Sequence, residues 1–304
     1  MNKLIVFSPS GVIAKPPALR LAVRRLTACG FDASLDDSAL ARSQRFAGED
    51  ATRLAALHRV ASQAPAVAMA SRGGYGLTRL LDQIDWPLLK RSVEQGTRWV
   101  GHSDFTALQL ALLRHGGVQS WAGPMAYDDF GRAEASGAAG SEGVDEVTRD
   151  CFCEAMGGEL EAVGFRTEAG FDGLSVSGRL WGGNLSMLCA MLGTRHWPSV
   201  KGGVLFVEDV NEHPYRVERC LLQLQQAGVL ASQKAVLMGA FTAFKPSPLD
   251  RGYGLKSMMA HLRSVLEVPL LTGLPFGHVP TKLSLPVGRR VQLLVNGRDV
   301  LMGW

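Results

Sequence analysis

The sequence predicts an α/β protein with two domains. Its first half alternates short apolar runs with segments whose apolar residues recur at helical spacing, which is typical of a mostly parallel sheet covered by helices. Its second half combines the same elements with a strand-rich end, so a smaller domain with a mixed sheet is expected there. A chain of 304 residues can form two domains of ordinary size, which we place at residues 1–160 and 161–304.

The composition indicates a folded globular protein and argues against several functional classes. With 46% hydrophobic and 20% charged residues, the chain lacks the charge excess of a disordered protein. Its net charge of +4 comes from Lys and Arg spread along the chain without a dense basic block, so nucleic-acid binding is not expected. No apolar run approaches the roughly 18 residues of a membrane span, and the amino terminus lacks a signal-peptide core. We therefore expect a cytoplasmic protein that does not enter the membrane, with its five scattered cysteines reduced.

The first half predicts four strands and three helices. The strands are expected at KLIVFSP, FDASL, AVAMAS and TRWVG, and the helices at PALRLAVRRLTACG, DATRLAALHRVAS and HSDFTALQLALLRHGG. The first helix is expected to stop at Gly30, because glycine suits the end of a helix. AVAMAS runs directly into the loop RGGYG, and TRWVG runs directly into HSDF. Since ligands bind at the carboxyl ends of strands in such sheets, we expect these two loops to face one crevice.

The second half follows a segment rich in Gly, Ala and Ser from Gly131 to Gly143, which predicts a mobile loop. A helix at DEVTRDCFCEAM comes next, and the chain is expected to enter the second domain between Gly157 and Asp172. Beyond it, strands are predicted at LSVSGRLW, GGVLFVED, KAVLMGAF and VQLLVNG, and helices at NLSMLCAMLG, YRVERCLLQLQQAG and LKSMMAHLRSVLE. The Asn-Gly pair in VNGRD predicts a β-hairpin.

Ser103 lies where the strand TRWVG is expected to turn into a helix. A serine in such a turn exposes its hydroxyl at the carboxyl edge of the sheet, and the N–H groups of the helix point toward developing negative charge, as acyl transfer requires. Alternatively, Ser103 or Asp104 only caps the helix, because both residue types are favoured there. The adjacent His102 is not expected to be the base, because successive residues of an extended segment point to opposite sides. Both interpretations of Ser103 stay open at this level.

A base and an acid would have to come from elsewhere in the chain, because a triad is defined by geometry. His278 follows an apolar strand in a Gly- and Pro-rich loop, a common setting for a functional side chain, although an ordinary loop histidine is as good an interpretation. Glu208 and Asp209 end a very apolar strand, where a buried carboxylate is costly without a partner. They could also be the acidic first turn of the helix that starts near His213.

Two Gly-Gly pairs follow predicted strands. In RGGYG, Gly73 and Gly74 allow close approach of the backbone and inward N–H groups, as an oxyanion hole requires, although a plain tight turn would have the same residues. The loop is neither G-x-G-x-x-G nor a P-loop, so nucleotide binding is not indicated. In WGGNLSMLCAMLGT, Asn184 is expected to cap the helix that follows. No His/Glu or His/Cys pair has metal-ligand spacing, so neither a metal nor another cofactor is expected.

Taken together and in this order, these segments resemble the LD-carboxypeptidases, a family of serine peptidases also called muramoyltetrapeptide carboxypeptidases. The resemblance covers nearly the whole chain and rests on RGGYG at Arg72, GHSD at Gly101, AGP at Ala122, GGNL at Gly182, LFVED with the following Glu212 and Tyr215, and GLPFGH ending at His278. It implies a flavodoxin-like or amidotransferase-like amino-terminal layer with helices on both faces, and a smaller carboxyl-terminal domain with a β-rich element.

The resemblance also implies the catalytic residues. The family's nucleophile, acid and base fall, in that order, on Ser103, Glu208 and His278. The first lies in the amino-terminal domain and the other two in the carboxyl-terminal domain, so the active site is expected in the cleft between the domains. The family's oxyanion hole, made by N–H groups of its Gly-Gly turn and of the residue after the nucleophile, falls on Gly73, Gly74 and Asp104.

The implied reaction releases terminal D-alanine from cytoplasmic murein tetrapeptides by cleaving the bond after the L-centre of meso-diaminopimelate, as part of peptidoglycan recycling. The family also implies a homodimer. Substrate contacts are expected from Arg72, Tyr75, Asn184 and Glu212, and Arg72 and the helix start at Asn184 are candidates for binding the terminal carboxylate. His102 stands where the family often has an aromatic residue, a difference expected to alter substrate contacts and not the mechanism. The alternatives are a peptidase of the microcin C group, which cleaves peptide-nucleotide antibiotics, and a non-catalytic two-domain binder of peptides or amino acids.

Overall fold

The computed structural model describes residues 1–133 and 143–304. The mobile loop predicted from Gly131 to Gly143 falls mainly outside the described residues. The chain divides into two compact units. Unit 1 comprises residues 1–160, 195–198 and 280–287, and unit 2 comprises residues 161–194, 199–279 and 288–304. The chain therefore passes five times from one unit to the other.

The strands of the described ranges are, in chain order, β1 (Asn2–Phe7), β2 (Phe31–Leu35), β3 (Val67–Ala70), β4 (Arg98–Gly101), β5 (Ser120–Ala122), β6 (Ala162–Arg166), β7 (Ser175–Asn184), β8 (Val204–Val210), β9 (Ala235–Thr242), β10 (Leu270–Leu271), β11 (Leu285–Val287), β12 (Arg290–Asn296) and β13 (Asp299–Gly303). The α-helices are α1 (Pro16–Ala28), α2 (Asp50–Gln63), α3 (Trp86–Glu94), α4 (Thr106–Gly116), α5 (Glu146–Gly157), α6 (Leu185–Met191), α7 (Pro214–Gln226) and α8 (Leu255–Val265). None of these helices has the length and apolar character that crossing a bilayer requires.

Unit 1 is built on a six-stranded sheet with the strand order β11-β5-β4-β3-β1-β2. Neighbouring strands from β1 to β5 are parallel, and only β11 runs antiparallel, against β5. All four residues of β3 are buried, which a strand in the middle of a helix-covered parallel sheet requires. The predicted α/β class with a mostly parallel first sheet is confirmed.

Unit 2 is built on a mixed seven-stranded sheet with the strand order β10-β9-β8-β7-β12-β13-β6. Strands β7 to β10 pair in parallel, whereas β12, β13 and β6 form an antiparallel region. The hairpin predicted from VNGRD joins β12 to β13, with Asn296 opposite Asp299 and Gly297 left-handed at φ +60°. The predicted mixed sheet with a β-rich end is therefore present.

Some elements were not predicted from the sequence, and β11 is the most informative of them. This three-residue strand lies near the end of the chain but pairs with β5 in unit 1. Lys282, just before it, is buried and forms an ion pair with the buried Asp129 of the same unit. The N–H of Lys282 also donates to Thr148 Oγ1 over 2.8 Å. A buried ion pair and an edge strand thus anchor the returning segment.

Candidate active site

Ser103 occupies the sharp turn between β4 and α4. Its backbone is left-handed at φ +63°, a conformation that strains any residue with a Cβ. A 3-10 turn, Ser103–Phe105, follows and leads directly into α4. At neither helix start does a side chain accept a capping hydrogen bond, so the simple capping interpretation has no support. A strained serine at a strand-to-helix turn is instead the arrangement in which a nucleophile is presented.

The loop RGGYG lies directly against Ser103. A methyl group on Gly73 would be 2.6 Å from both Cβ and Oγ of Ser103, so only glycine fits there. The N–H of Gly11 donates to the Gly73 carbonyl over 3.1 Å and holds this loop in place. Neither Gly73 nor Gly74 donates its own N–H to another described residue, so both donors are available to a ligand. The two loops that were expected to face one crevice are in contact.

Asp104 is only 2% exposed, and its carboxyl group joins three loops. Oδ2 accepts hydrogen bonds from Ser10 Oγ over 2.7 Å and from the N–H of Leu77 over 3.0 Å. Burial raises the pKa of Asp104, and the bonds from Leu77 and Ser10 and the charge of Arg53 offset part of that effect. The carboxyl group therefore fixes the turn around Ser103, which leaves the backbone N–H of Asp104 as the group that could contact a substrate. Ser10 was missed in the sequence analysis, because no local pattern connects it to Asp104.

His102, before the nucleophile candidate, is 3% exposed. Its Nδ1 lies 2.9 Å from the carbonyl oxygen of Gly123. A carbonyl oxygen only accepts, so Nδ1 carries the proton and donates it. The ring therefore links β4 to the segment after β5.

Glu208 and His278 form a hydrogen-bonded pair in unit 2. His278 Nδ1 lies 2.7 Å from Glu208 Oε2. The Glu208 side chain is fully buried, whereas the His278 side chain is 22% exposed. A buried carboxylate that accepts from Nδ1–H fixes the ring and leaves Nε2 as the atom that can take up a proton. Glu208 lies within β8, and His213 caps α7, so the acidic-first-turn interpretation does not describe Glu208.

A bulge in β9 lies opposite Glu208, where β9 has one residue more than β8. The N–H of Ala240, within the bulge, donates to the carbonyl of Phe276 over 2.8 Å and anchors the loop that carries His278. Gly277 is left-handed at φ +132°, and a methyl group there would lie 3.1 Å from Glu208 Oε2. The extra residue and this glycine bring the histidine and the carboxylate together.

Asn184 holds the carboxylates in place from the neighbouring strand. It is the register partner of Glu208 in the parallel pairing of β7 and β8. Its Nδ2 donates to Glu208 Oε1 over 3.2 Å and to Asp209 Oδ1 over 2.9 Å, and its Oδ1 accepts the N–H of Met187 as the cap of α6. Asp209 also accepts two bonds from Ser186. The expected cap is present, but the side chain serves the two acids, a role that the sequence analysis missed.

The other predicted substrate contacts are partly exposed. Arg72 is half-buried and donates from Nη1 to the carbonyl of Val12 over 3.1 Å. Tyr75, in the same loop, is 43% exposed. Glu212 lies in unit 2, with its Oε2 3.7 Å from Arg216 Nη1.

Each unit, taken by itself, holds one group of side chains or N–H donors suited to catalysis. Unit 1 has a strained serine beside free N–H donors, and unit 2 has a histidine whose ring is fixed by a buried carboxylate. These are the components of acyl transfer through a serine nucleophile. Across the described ranges, no group of three or more His, Cys, Asp or Glu side chains is arranged to hold a metal ion.

Comparison with known proteins gives matches along most of the chain. The family model of the LD-carboxypeptidase N-terminal domain matches residues 4–123, and that of the LD-carboxypeptidase C-terminal domain matches residues 177–293. The murein tetrapeptide carboxypeptidase of Pseudomonas aeruginosa is 28% identical over 309 residues, which cover 97% of this chain and 94% of the relative. A putative carboxypeptidase of Streptomyces coelicolor is 32% identical, with 96% and 90% covered.

Solved structures give the same result. The muramoyltetrapeptide carboxypeptidase from Oxalobacter formigenes is similar at a TM-score of 0.88 and 38% identity, with 99% of this chain and 97% of that chain covered. MccF in complex with glutamyl sulfamoyl guanosine is similar at a TM-score of 0.85 and 19% identity, with 100% and 96% covered. At that identity, the likeness to MccF shows the fold alone.

Proposed function

The chain belongs to the LD-carboxypeptidase family, and from this premise we propose that it is a serine peptidase that releases terminal D-alanine from murein tetrapeptides. Family membership makes it a peptidase, and its relatives include murein peptide carboxypeptidases. The observation that carries the proposed mechanism is the pairing of the partly exposed His278 with the fully buried Glu208, 70 residues apart in the chain. Such a pair has the geometry of a general base with its orienting acid.

In the proposed acylation step, Ser103 Oγ attacks the carbonyl carbon of the scissile bond while His278 Nε2 takes up the hydroxyl proton. Catalysis therefore requires Nε2 to come within about 3 Å of Oγ in the substrate complex. The Glu208 side chain holds the His278 ring in place and stabilises the imidazolium that forms. The N–H groups of Gly73 or Gly74 and of Asp104 would stabilise the oxyanion.

Collapse of the tetrahedral intermediate breaks the C–N bond, and the His278 proton goes to the amine of the leaving D-alanine. Water then attacks the acyl-enzyme as His278 takes up one of its protons, and that proton returns to Ser103 as the peptide acid leaves. Arg72 is the proposed partner of the terminal carboxylate, because Nη1 alone is used by Val12 and a guanidinium has five N–H donors. Tyr75, in the same loop as Arg72, is proposed as a further substrate contact.

As part of this proposal, the enzyme takes part in peptidoglycan recycling in the cytoplasm and works as a homodimer, as the family resemblance implies. Light scattering on the purified protein tests the second point. A mass near 65 kDa supports the dimer, because one chain is 32.7 kDa, and a mass near 33 kDa at assay concentration contradicts it.

The decisive experiment measures free D-alanine after incubation with murein tetrapeptide. Wild type should release it, whereas Ser103→Ala, Glu208→Gln and His278→Ala should each lose activity by at least about a thousandfold. His261→Ala, at an exposed position on α8, is the matched control and should retain full activity. Turnover by Ser103→Ala would contradict the nucleophile assignment. Binding of the tetrapeptide without release would favour the non-catalytic binder, and cleavage of a peptide-nucleotide alone would favour the microcin C type of peptidase.

A further inference from the structure

A cavity of about 590 Å³ lies in unit 2, beyond the carboxyl ends of β8 and β9. The residues that line it follow these two strands: Asn211, His213, Tyr215 and Arg216 after β8, and Ala243, Phe244, Lys245, Ser247, Leu249 and Asp250 after β9. This volume is within the range of sites for small ligands. None of its residues has a part in the proposed triad, so the cavity has no role in the mechanism given above.

The cavity adjoins the Glu208–His278 pair. Asn211 is the third residue after Glu208, and its N–H donates to the carbonyl of Thr242 over 2.8 Å. Thr242 Oγ1 in turn donates to the carbonyl of His278 over 3.4 Å. Hydrogen bonds thus join the backbone of the cavity wall to the loop that carries His278.

Hydrogen bonds hold the cavity walls in place. His213 Nδ1 accepts the N–H of Tyr215 over 3.4 Å, so the proton of the neutral ring is on Nε2. Nε2 lies 3.0 Å from Asp250 Oδ2, which also accepts the N–H of Ser247. The bonds from Ser247 and His213 lower the pKa of Asp250. The only carboxylate lining the described cavity is thus already satisfied by the wall itself.

Backbone strain is concentrated at the same place. Three of the six non-glycine residues with left-handed φ in the described ranges line or border the cavity: Asn211 at +64°, Ala243 at +60° and Arg251 at +45°. Ser103 is a fourth. Strained backbone of this kind clusters at catalytic and ligand-binding sites, because the surrounding structure must hold it there.

The charges available to a ligand are positive. Lys245 is exposed and makes no ion pair with any residue that the structure describes. Arg216 has a single long contact with a carboxylate, 3.7 Å from Nη1 to Glu212 Oε2. Both side chains line the cavity. Guanidinium and ammonium groups bind carboxylates through charge-assisted hydrogen bonds.

Aromatic rings provide the apolar part of the wall. The rings of Tyr215 and Phe244 both contact the imidazole of His213, at centroid distances of 4.6 and 5.7 Å. Tyr215 is 47% exposed, so its ring can cover the aliphatic part of a ligand. The site therefore combines two cations with an aromatic surface.

We propose that this cavity is a subsite that binds a free carboxylate of an acidic peptide, on the amino-terminal side of the cleaved bond, through Lys245 and Arg216. This inference rests on the proposed carboxypeptidase function. A carboxypeptidase removes one residue, so most of its substrate lies on the amino-terminal side of the scissile bond. The murein tetrapeptide has a γ-linked glutamate on that side, and the α-carboxylate of this residue is free.

The test compares the tetrapeptide with an analogue in which that α-carboxylate is a carboxamide. Wild type should cleave the carboxylate form with at least about tenfold higher kcat/KM, mostly through KM, because the contact is equal in the ground and transition states. Lys245→Met and Arg216→Met should each remove most of this preference and leave cleavage of the carboxamide unchanged. Lys256→Met, at an exposed position on α8, is the matched control and should behave as wild type.

Binding measured on Ser103→Ala separates this inference from the proposed function. By calorimetry, Ser103→Ala should bind the carboxylate peptide at least about tenfold more tightly than the carboxamide, and addition of Lys245→Met should remove the difference. Equal affinity for the two peptides overturns the subsite. Absence of D-alanine release by wild type, with the affinity difference intact, overturns the proposed function and leaves the subsite standing.

Discussion

A left-handed backbone is uncommon for residues with a Cβ, and Ser103 is one of the six in the described ranges that adopt it. Its neighbours explain why the conformation persists. Gly73 lies against the side chain, and the buried carboxyl group of Asp104 ties the turn to Ser10 and Leu77. The turn is therefore held by contacts that a local sequence pattern does not reveal.

Replacement of Ser103 should separate strain from chemistry. Ser103→Gly and Ser103→Ala both remove the proposed nucleophile and should both be inactive. Only glycine relieves the left-handed strain, so Ser103→Gly should be more stable than Ser103→Ala by about 1 kcal/mol. Urea unfolding of both variants measures this difference, and equal midpoints would show that the turn carries no strain.

Asp104 should make stability depend on pH. Burial raises the pKa of its carboxyl group, so the folded protein resists the ionisation that the unfolded chain undergoes near pH 4. The contribution of the Asp104 carboxyl group to stability is fully present below the pKa that it has in the unfolded chain. This contribution is lost as pH rises through the pKa that it has in the folded protein. Asp104→Asn keeps an oxygen that can accept from Ser10 and Leu77 but cannot ionise.

Asp104→Asn should therefore be more stable than wild type, and the difference in free energy of unfolding should be larger at pH 8 than at pH 4. Urea unfolding at both pH values measures it. Activity should fall less than about tenfold, because the backbone N–H is unchanged. A gain that is the same at both pH values would contradict burial as the cause of the pKa shift.

At the scale of elements, the sequence predicts what local patterns can encode. Apolar runs identified β1, β3, β4 and β8, and helical spacing identified α1, α2 and α4. The three-residue β11 was not predicted, because it is shorter than any periodic pattern and contains Pro286, which suits only an edge strand. The hydrogen bonds of Asn184 to Glu208 and Asp209 were not predicted either, because only the register of β7 and β8 places Asn184 beside Glu208.

The ion pair between Lys282 and Asp129 should decide whether β11 stays on its sheet. Lys282→Met leaves a buried carboxylate without its main partner and should lower the free energy of unfolding by about 3 kcal/mol. The double variant Lys282→Met with Asp129→Asn removes the charge and should recover part of this loss. Lys90→Met removes an exposed ion pair with Glu94 on α3 and should change the free energy of unfolding by less than about 0.5 kcal/mol. Equal losses for Lys282→Met and Lys90→Met would refute the anchoring role.

At the scale of the whole molecule, the five passages of the chain between units have a thermodynamic consequence. Unit 1 is incomplete without residues 280–287, which supply β11 and the partner of Asp129. Local patterns cannot show such returning segments, because their partners are more than a hundred residues away. The catalytic assignments likewise came from several motifs taken together rather than from any one of them.

A fragment of residues 1–160 should therefore not fold stably, although it contains most of unit 1. Full-length protein, followed by circular dichroism in urea, gives the reference signal. The fragment should show little native signal, and a peptide of residues 280–287 should restore part of it. A fragment with a native spectrum and a sigmoidal transition would show that unit 1 does not need its last strand.

The bulge in β9 also affects how related sequences should be compared. Its extra residue allows Ala240 to hold the loop that presents His278 to Glu208. A relative that kept all three residues but had lost one position between Met238 and Phe241 would align with high identity and a single gap. That gap, rather than any substitution, would mark the loss of the hydrogen-bonded His278–Glu208 pair. The length of β9 should therefore be compared along with the identities of Ser103, Glu208 and His278.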